Sequence, residues 1–185
     1  GSSTGRLLVT EDRDLARIAA QVKGTGKVLS VHAEDEGMIQ HEAEANIADH
    51  LRNRPAAAEV SAIRRLSSMD CDINVCHVSS ADGLRALETL PFTKEVTVHH
   101  LLLDRDSEGG AYLKVNPPLR TKEDRLALFQ AFVSGRIDML GSDHAPHTIE
   151  DKEQEFDVAP SGMPGVETTV PMMLAFMKRG TLPME

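Results

Sequence analysis

The heptad GSDHAPH, Gly141 to His147, sets one carboxylate and two imidazoles, Asp143, His144 and His147, directly after the apolar residues Ile137, Met139 and Leu140. Two further histidines, His32 in KVLSVHA and His77 in INVCHVSS, also stand at the ends of short apolar runs. Neutral imidazole nitrogens are good zinc ligands, and a carboxylate can complete such a site while still able to take a proton from a water on the metal. His32, His77 and Asp143 are therefore candidate metal ligands, and Asp143 is also the candidate general base. One histidine at a strand end is most often structural. Three polar residues at three strand ends point to a site.

For these side chains to converge, the apolar runs must be neighbouring strands. A helix is predicted from Asp12 to Val22, with Leu15, Ile18, Ala19 and Val22 on one face, and GTG at Gly24 to Gly26 breaks it. Strands are predicted at Lys27–Ala33, Ile73–Ser80, Glu95–His100 and in RIDMLGSDH. Between them lie two helical arms meeting around Pro55 and a short helix, ADGLRALETL, that Ser79 or Ser80 can cap. A further helix begins at Thr121, with Asp124 completing a capping box and a stripe of Leu126, Phe129, Phe132 and Val133. Val166, Val170, Met173, Leu174 and Met177 mark a closing helix, where Met172, Met173 and Met177 read as core packing. This alternation is α/β: a parallel sheet covered by helices, in one continuous domain. A doubly wound sheet and a (β/α) barrel both satisfy it. Polar residues at the C-terminal ends of separate strands favour the barrel, and GTG precedes a strand, so it is a turn and not a phosphate loop.

Composition excludes other classes. Hydrophobic residues make up 41% and the formal net charge is −9, with no basic cluster beyond Arg64 and Arg65, which argues against a nucleic-acid partner. No run of eighteen apolar residues is present to span a bilayer, and the first residues lack the features of a signal peptide, so no membrane association and a cytoplasmic location are expected. Cys71 and Cys76 are too few for a disulfide framework and read as buried thiols.

VHAED (Val31 to Asp35), CHVSS (Cys76 to Ser80), NPPLR (Asn116 to Arg120), GSDHAPH and APSGMPGVET (Ala159 to Thr168) together resemble the dihydroorotases, members of the amidohydrolase superfamily of metal-dependent barrel hydrolases. Order and approximate spacing agree along nearly the whole chain. The HxH pair of the first barrel strand and the bridging carbamylated lysine or aspartate of that family are not in it, and GSSTG resembles the segment just after the bridging position. The resemblance implies the C-terminal half of a (β/α)8 TIM-type barrel, approximately strands 5–8, with residues 1–185 as a single partial domain that is inactive alone.

The resemblance further implies two zinc ions in the complete site. His32 and His77 would hold the second, and Asp143 would bind the first and serve as general base. Asn116 and His147 would bind dihydroorotate, His147 facing its carboxylate, and Pro164 and Gly165 would offer backbone groups to the ring. The implied reaction is hydrolysis or condensation of the cyclic amide bond between dihydroorotate and N-carbamoyl-aspartate, in a homo-oligomer that can associate with aspartate carbamoyltransferase. Hydantoinases and allantoinases share the ligands and are the alternative, as is a non-catalytic scaffold. NPPLR and His147 favour dihydroorotase, because a carboxylate-bearing substrate needs an extra donor.

The remaining polar residues have plainer readings. His144 is expected to point away from the metal face and give support. His99 and His100 stand where the family commonly has proline before the pair, and are expected to support the strand end. Glu34 and Asp35 are expected to orient His32 or cap the next helix, and His41 and His50 to face solvent.

Overall fold

The apolar runs form four parallel strands, β1 (Leu29–His32), β2 (Ile73–Cys76), β3 (Thr93–Thr97) and β4 (Met139–Gly141). They are hydrogen-bonded in the order β1-β2-β3-β4. A doubly wound sheet reverses its order at a switch point, so strict sequential order makes this sheet an arc of a barrel. The structure, a computed structural model, describes residues 8–182. The opening GSSTG, and what was expected of it, lie outside the described residues.

The helices are α1 (Asp12–Lys23), α2 (Ile47–Asn53), α3 (Ala56–Leu66), α4 (Ala81–Leu87), α5 (Val98–Leu102), α6 (Lys122–Val133), α7 (Ile149–Lys152) and α8 (Thr169–Lys178). Local chemistry sets their starts. Ser80 caps α4 by accepting from the Gly83 amide, and Thr121 and Asp124 form both halves of a capping box on α6. The core lies where α3, α4 and α6 cover the sheet, with Ile63, Ile73, Val75, Leu87, Val96 and Leu128 fully or almost fully buried. No helix among the described residues is long and apolar enough to cross a membrane.

Several expectations are corrected. β2 stops at Cys76 because His77 takes a left-handed conformation, φ 39°. β3 stops at Thr97, whose hydroxyl accepts from the His100 amide, so His99 and His100 lie on the helical turn α5 and not on a strand. On α6 the buried residues are Leu128 and Ala131, since that face meets α4 and α5; Leu126 and Val133 are exposed, and Phe129 and Phe132 only half-buried. Val166 precedes α8, and Val170 and Leu174 are exposed, leaving Met173 to pack with Val98 and Leu182. Met177 packs against that cluster, whereas Met172 is exposed. His41 is exposed as expected, but His50 is buried: Glu44 and the Val115 carbonyl take its two ring nitrogens. Cys71 and Cys76 are half-buried free thiols.

Candidate metal centre and substrate loop

His32 closes β1 level with Cys76 of β2, so His77, the next residue, comes up beside it. Nδ1 of His32 lies 3.1 Å from Nε2 of His77, with ring centroids 4.7 Å apart and the rings 71° to each other. The other nitrogen of His32, Nε2, is taken by Glu34 at 2.8 Å, and Arg54 donates to the same carboxylate at 2.5 Å. Burial pushes the Glu34 carboxyl up, but hydrogen bonds from His32 and Arg54 and the Arg54 charge outweigh it and hold the group at about 2. Glu34 is thus a carboxylate that commits Nε2 as donor and leaves Nδ1 toward His77. Asp35 accepts from the Gly37 amide at the start of the following turn. Both readings of that acidic pair hold, one for each residue.

Burial, and then the neighbouring His32, drive His77 down to about 3, so its ring is neutral at ordinary pH. Two nitrogens of one tetrahedral zinc, each about 2.0–2.1 Å from the ion, stand roughly 3.3 Å apart. The His32–His77 pair has close to that separation, and the second nitrogen of His77 is buried without a hydrogen-bond partner. The pair fits two ligands of one divalent ion. Among the described residues no three His, Cys, Asp or Glu side chains converge closely enough to make a fuller cluster.

Asp143 follows β4. Like His77 it has a positive φ, 41°, and these two are the non-glycine residues with that conformation among those described. Such backbone is costly and gathers at functional sites, where the surroundings enforce it. Burial raises the Asp143 carboxyl, and His32 opposes the rise. Asn116 is half-buried and its Oδ1 is enclosed without a partner. His147 is exposed and uses Nε2 on the Ser161 carbonyl at 3.1 Å. Nδ1 of His144 accepts the amides of Gly165 and Val166 at 3.1 and 3.3 Å, a supporting role. Gly165 is buried, and a Cβ there would collide with the Ser142 carbonyl, so glycine lets this loop lie on the strand end; Pro164 beside it is exposed.

The support behind His77 was not apparent from sequence. Glu59 of α3 is fully buried and accepts from the Ser79 amide at 2.7 Å, the Ser79 hydroxyl at 3.0 Å and the Ser80 hydroxyl. Arg120, from NPPLR, donates to Ser79 Oγ at 3.1 Å and to the Arg54 carbonyl. One polar network thus runs from the turn after His77 to the arginine that holds Glu34. The available signal was a glutamate amid the apolar face of a helix, AAAEVSAI.

No protein-family model matches the chain. It is 41% identical over 157 residues to the dihydroorotase of Thermoplasma acidophilum, covering 83% of this chain and 36% of that one. It is 42% identical over 163 residues to the dihydroorotase of Thermococcus kodakarensis, covering 84% and 36%. In fold it matches the L-hydantoinase (dihydropyrimidinase) of Arthrobacter aurescens with a TM-score of 0.86 and 32% identity, covering 97% of this chain and 45% of that one. The chain spans less than half the length of each of these relatives. With its sequential parallel strands and its histidine pair at their C-terminal ends, it is similar to a part of the dihydroorotases and of the hydantoinase barrel.

Proposed function

We propose that the chain supplies strands 5–8 of a dihydroorotase barrel, as one partial domain, and that the complete protein interconverts dihydroorotate and N-carbamoyl-aspartate. The observation that carries this is the pairing of His32 Nδ1 with His77 Nε2 at 3.1 Å at the C-terminal ends of β1 and β2. His32 and His77 would hold one divalent ion and Asp143 a second, with zinc favoured by the nitrogen and carboxylate donors. When bound, such metals polarise the ring carbonyl and make a water more acidic.

The chain's own groups do the rest. Asp143, its carboxyl raised by burial, takes the proton of the attacking water at its carboxylate oxygen and returns it to the departing ring nitrogen. His147 donates Nε2–H to the Ser161 carbonyl, so it serves the substrate carboxylate through Nδ1–H as the doubly protonated imidazolium, and Asn116 offers its enclosed amide to the substrate. The main chain at Pro164 and Gly165 faces the ring. We place the protein in the cytoplasm as a homo-oligomer with a small-molecule substrate and aspartate carbamoyltransferase as a candidate partner.

A hydantoinase reading is supported by the close fold match to the L-hydantoinase. The higher identity to dihydroorotases and the presence of His147 weigh the other way. Steady-state turnover of dihydroorotate and of hydantoin by the complete protein decides between them: dihydroorotate is expected to be the better substrate by kcat/KM, and the reverse order would overturn the proposal. Metal analysis of the same preparation tests the scaffold alternative, which requires that no metal be bound.

A further inference from the structure

Lys152 ends α7, inside the loop that links Asp143 to Pro164 and Gly165. It is buried, and its Nζ reaches three main-chain carbonyls: Pro160 at 2.9 Å, Gly162 at 3.2 Å and Lys114 at 3.3 Å. An ammonium has three N–H donors, and here each has a carbonyl. Among the described residues no carboxylate pairs with it. Burial and the neighbouring Lys114 lower the group to about 8, so at neutral pH it remains an ammonium. A buried charge without a counter-ion is expensive unless its hydrogen bonds achieve something else. What these bonds achieve is the joining of two segments that are far apart in the chain.

The same Lys114 carbonyl also accepts the Gly162 amide at 2.9 Å. Lys114 itself sends Nζ to the Phe156 carbonyl at 2.8 Å and to Glu44 at 3.2 Å. Across the turn, the Ala145 amide donates to the Met163 carbonyl at 3.0 Å, and Gly162, at φ 147°, passes so close to Ala145 that a Cβ would strike its carbonyl. The turn 160–165 is therefore clamped between the segment leading to Asn116 and the segment leading to His147.

We propose that Lys152 is the positioning residue of the substrate site, gathering the carbonyls of residues 114, 160 and 162 so that Asn116, His147 and the Pro164–Gly165 main chain face one substrate. This rests on the dihydroorotase reading of those four residues. Lys152 touches no reacting atom; it acts through the turn.

The test is Lys152→Met in the complete protein, which keeps most of the side chain's length and removes the ammonium. Hydrogen exchange of residues 158–166 is expected to speed up by about tenfold or more while β2 keeps its protection. KM for dihydroorotate is expected to rise about tenfold with kcat within about twofold, since misplaced binding groups lose substrate affinity first. A general structural role would instead loosen β2 as well. Unchanged exchange in the turn overturns the proposal, and so does faster exchange with an unaltered KM. Should the methionine variant not fold, the unsubstituted protein still decides: the Gly162 amide must exchange as slowly as the amides of β2, and exchange at the rate of an open loop overturns the clamp. Absence of dihydroorotate turnover in the unsubstituted protein would remove the substrate reading alone, leaving the exchange experiment to judge Lys152.

Discussion

Glu34 accepts from Nε2 of His32 at 2.8 Å, and Nη2 of Arg54 donates to the same carboxylate oxygen, Oε2, at 2.5 Å. The ring orientation of the candidate ligand therefore depends on a residue two positions away and on an arginine from the end of α2. Partners of this kind typically matter 10–100-fold in metal affinity. Glu34→Gln keeps the volume but surrenders the charge that fixes the imidazole and balances Arg54. Zinc affinity of the complete protein, measured by competition against a chelator, is expected to fall by at least about tenfold. Equal affinity would mean that packing alone orients His32.

Gly83 sits where Glu59 needs space: a Cβ at this position would run into the Glu59 carboxylate. Glu59 is buried and serves Ser79 and Ser80, so it has no free room to retreat without breaking hydrogen bonds. Gly83→Ala is expected to destabilise by roughly 1–3 kcal/mol despite the better helix propensity of alanine. A urea midpoint equal to or above that of the parent protein would refute the account.

Glu44, just before α2, contributes to the acid limb of stability. Burial raises the Glu44 carboxyl, but hydrogen bonds from His50, Asn53 and Lys114 outweigh it and hold the group at about 2. Its unfolded value is near 4.5, so the folded chain binds its proton later, and the contribution is fully present above pH 4.5 and lost as pH falls from 4.5 toward 2. With allowance for solvent around the pair, the loss is on the order of 2 kcal/mol. Glu44→Gln is expected to flatten the decline of chemical stability across that window. A variant whose acid limb matches the parent's would exclude Glu44 as a contributor.

On α6 the face that packs is given by Leu128, fully buried, while Leu126 two positions earlier is 45% exposed. Leu128→Ala is expected to cost about 2–5 kcal/mol by lost burial and an unfilled cavity, and Leu126→Ala under about 1 kcal/mol. Denaturant midpoints of the two variants check this, and equal losses would restore the stripe expected from periodicity.

That helix shows what kind of information the sequence carries. Its start is legible, because a capping box is a local arrangement of Thr121 and Asp124. Its buried face is not, because Leu126, Leu128, Phe129 and Phe132 offer more apolar positions than one face can hold, and only the neighbours α4 and α5 choose among them. The candidate ligands are legible for the reason that the cap is: a histidine or aspartate at the end of an apolar run is a local pattern, and consecutive parallel strands bring such ends to one rim. Arg54, Glu59, Arg120 and Lys152 escape the reading since their partners are distant. Glu59 meets Ser79 20 positions away, Arg120 meets the same serine 41 away, and Lys152 meets Lys114 38 away. His50 is the same case, an imidazole in a charged stretch that a carbonyl 65 positions on draws inside.

His147 separates substrate chemistry from scaffolding. Its Nε2–H bond to the Ser161 carbonyl at 3.1 Å anchors the ring to the clamped turn, and in the imidazolium form Nδ1–H is left to donate to a ligand. A hydrogen bond to an ionised carboxylate is worth about 1.5–3 kcal/mol, equivalent to roughly 10–150-fold in binding. His147→Ala is therefore expected to raise KM for dihydroorotate by at least about tenfold with a smaller change in kcat. Hydantoin has no carboxylate, and any residual turnover of it should keep its KM. If instead KM rises equally for both substrates, His147 serves only to pin the turn at Ser161, and the donor for the carboxylate has to be sought elsewhere in the complete protein.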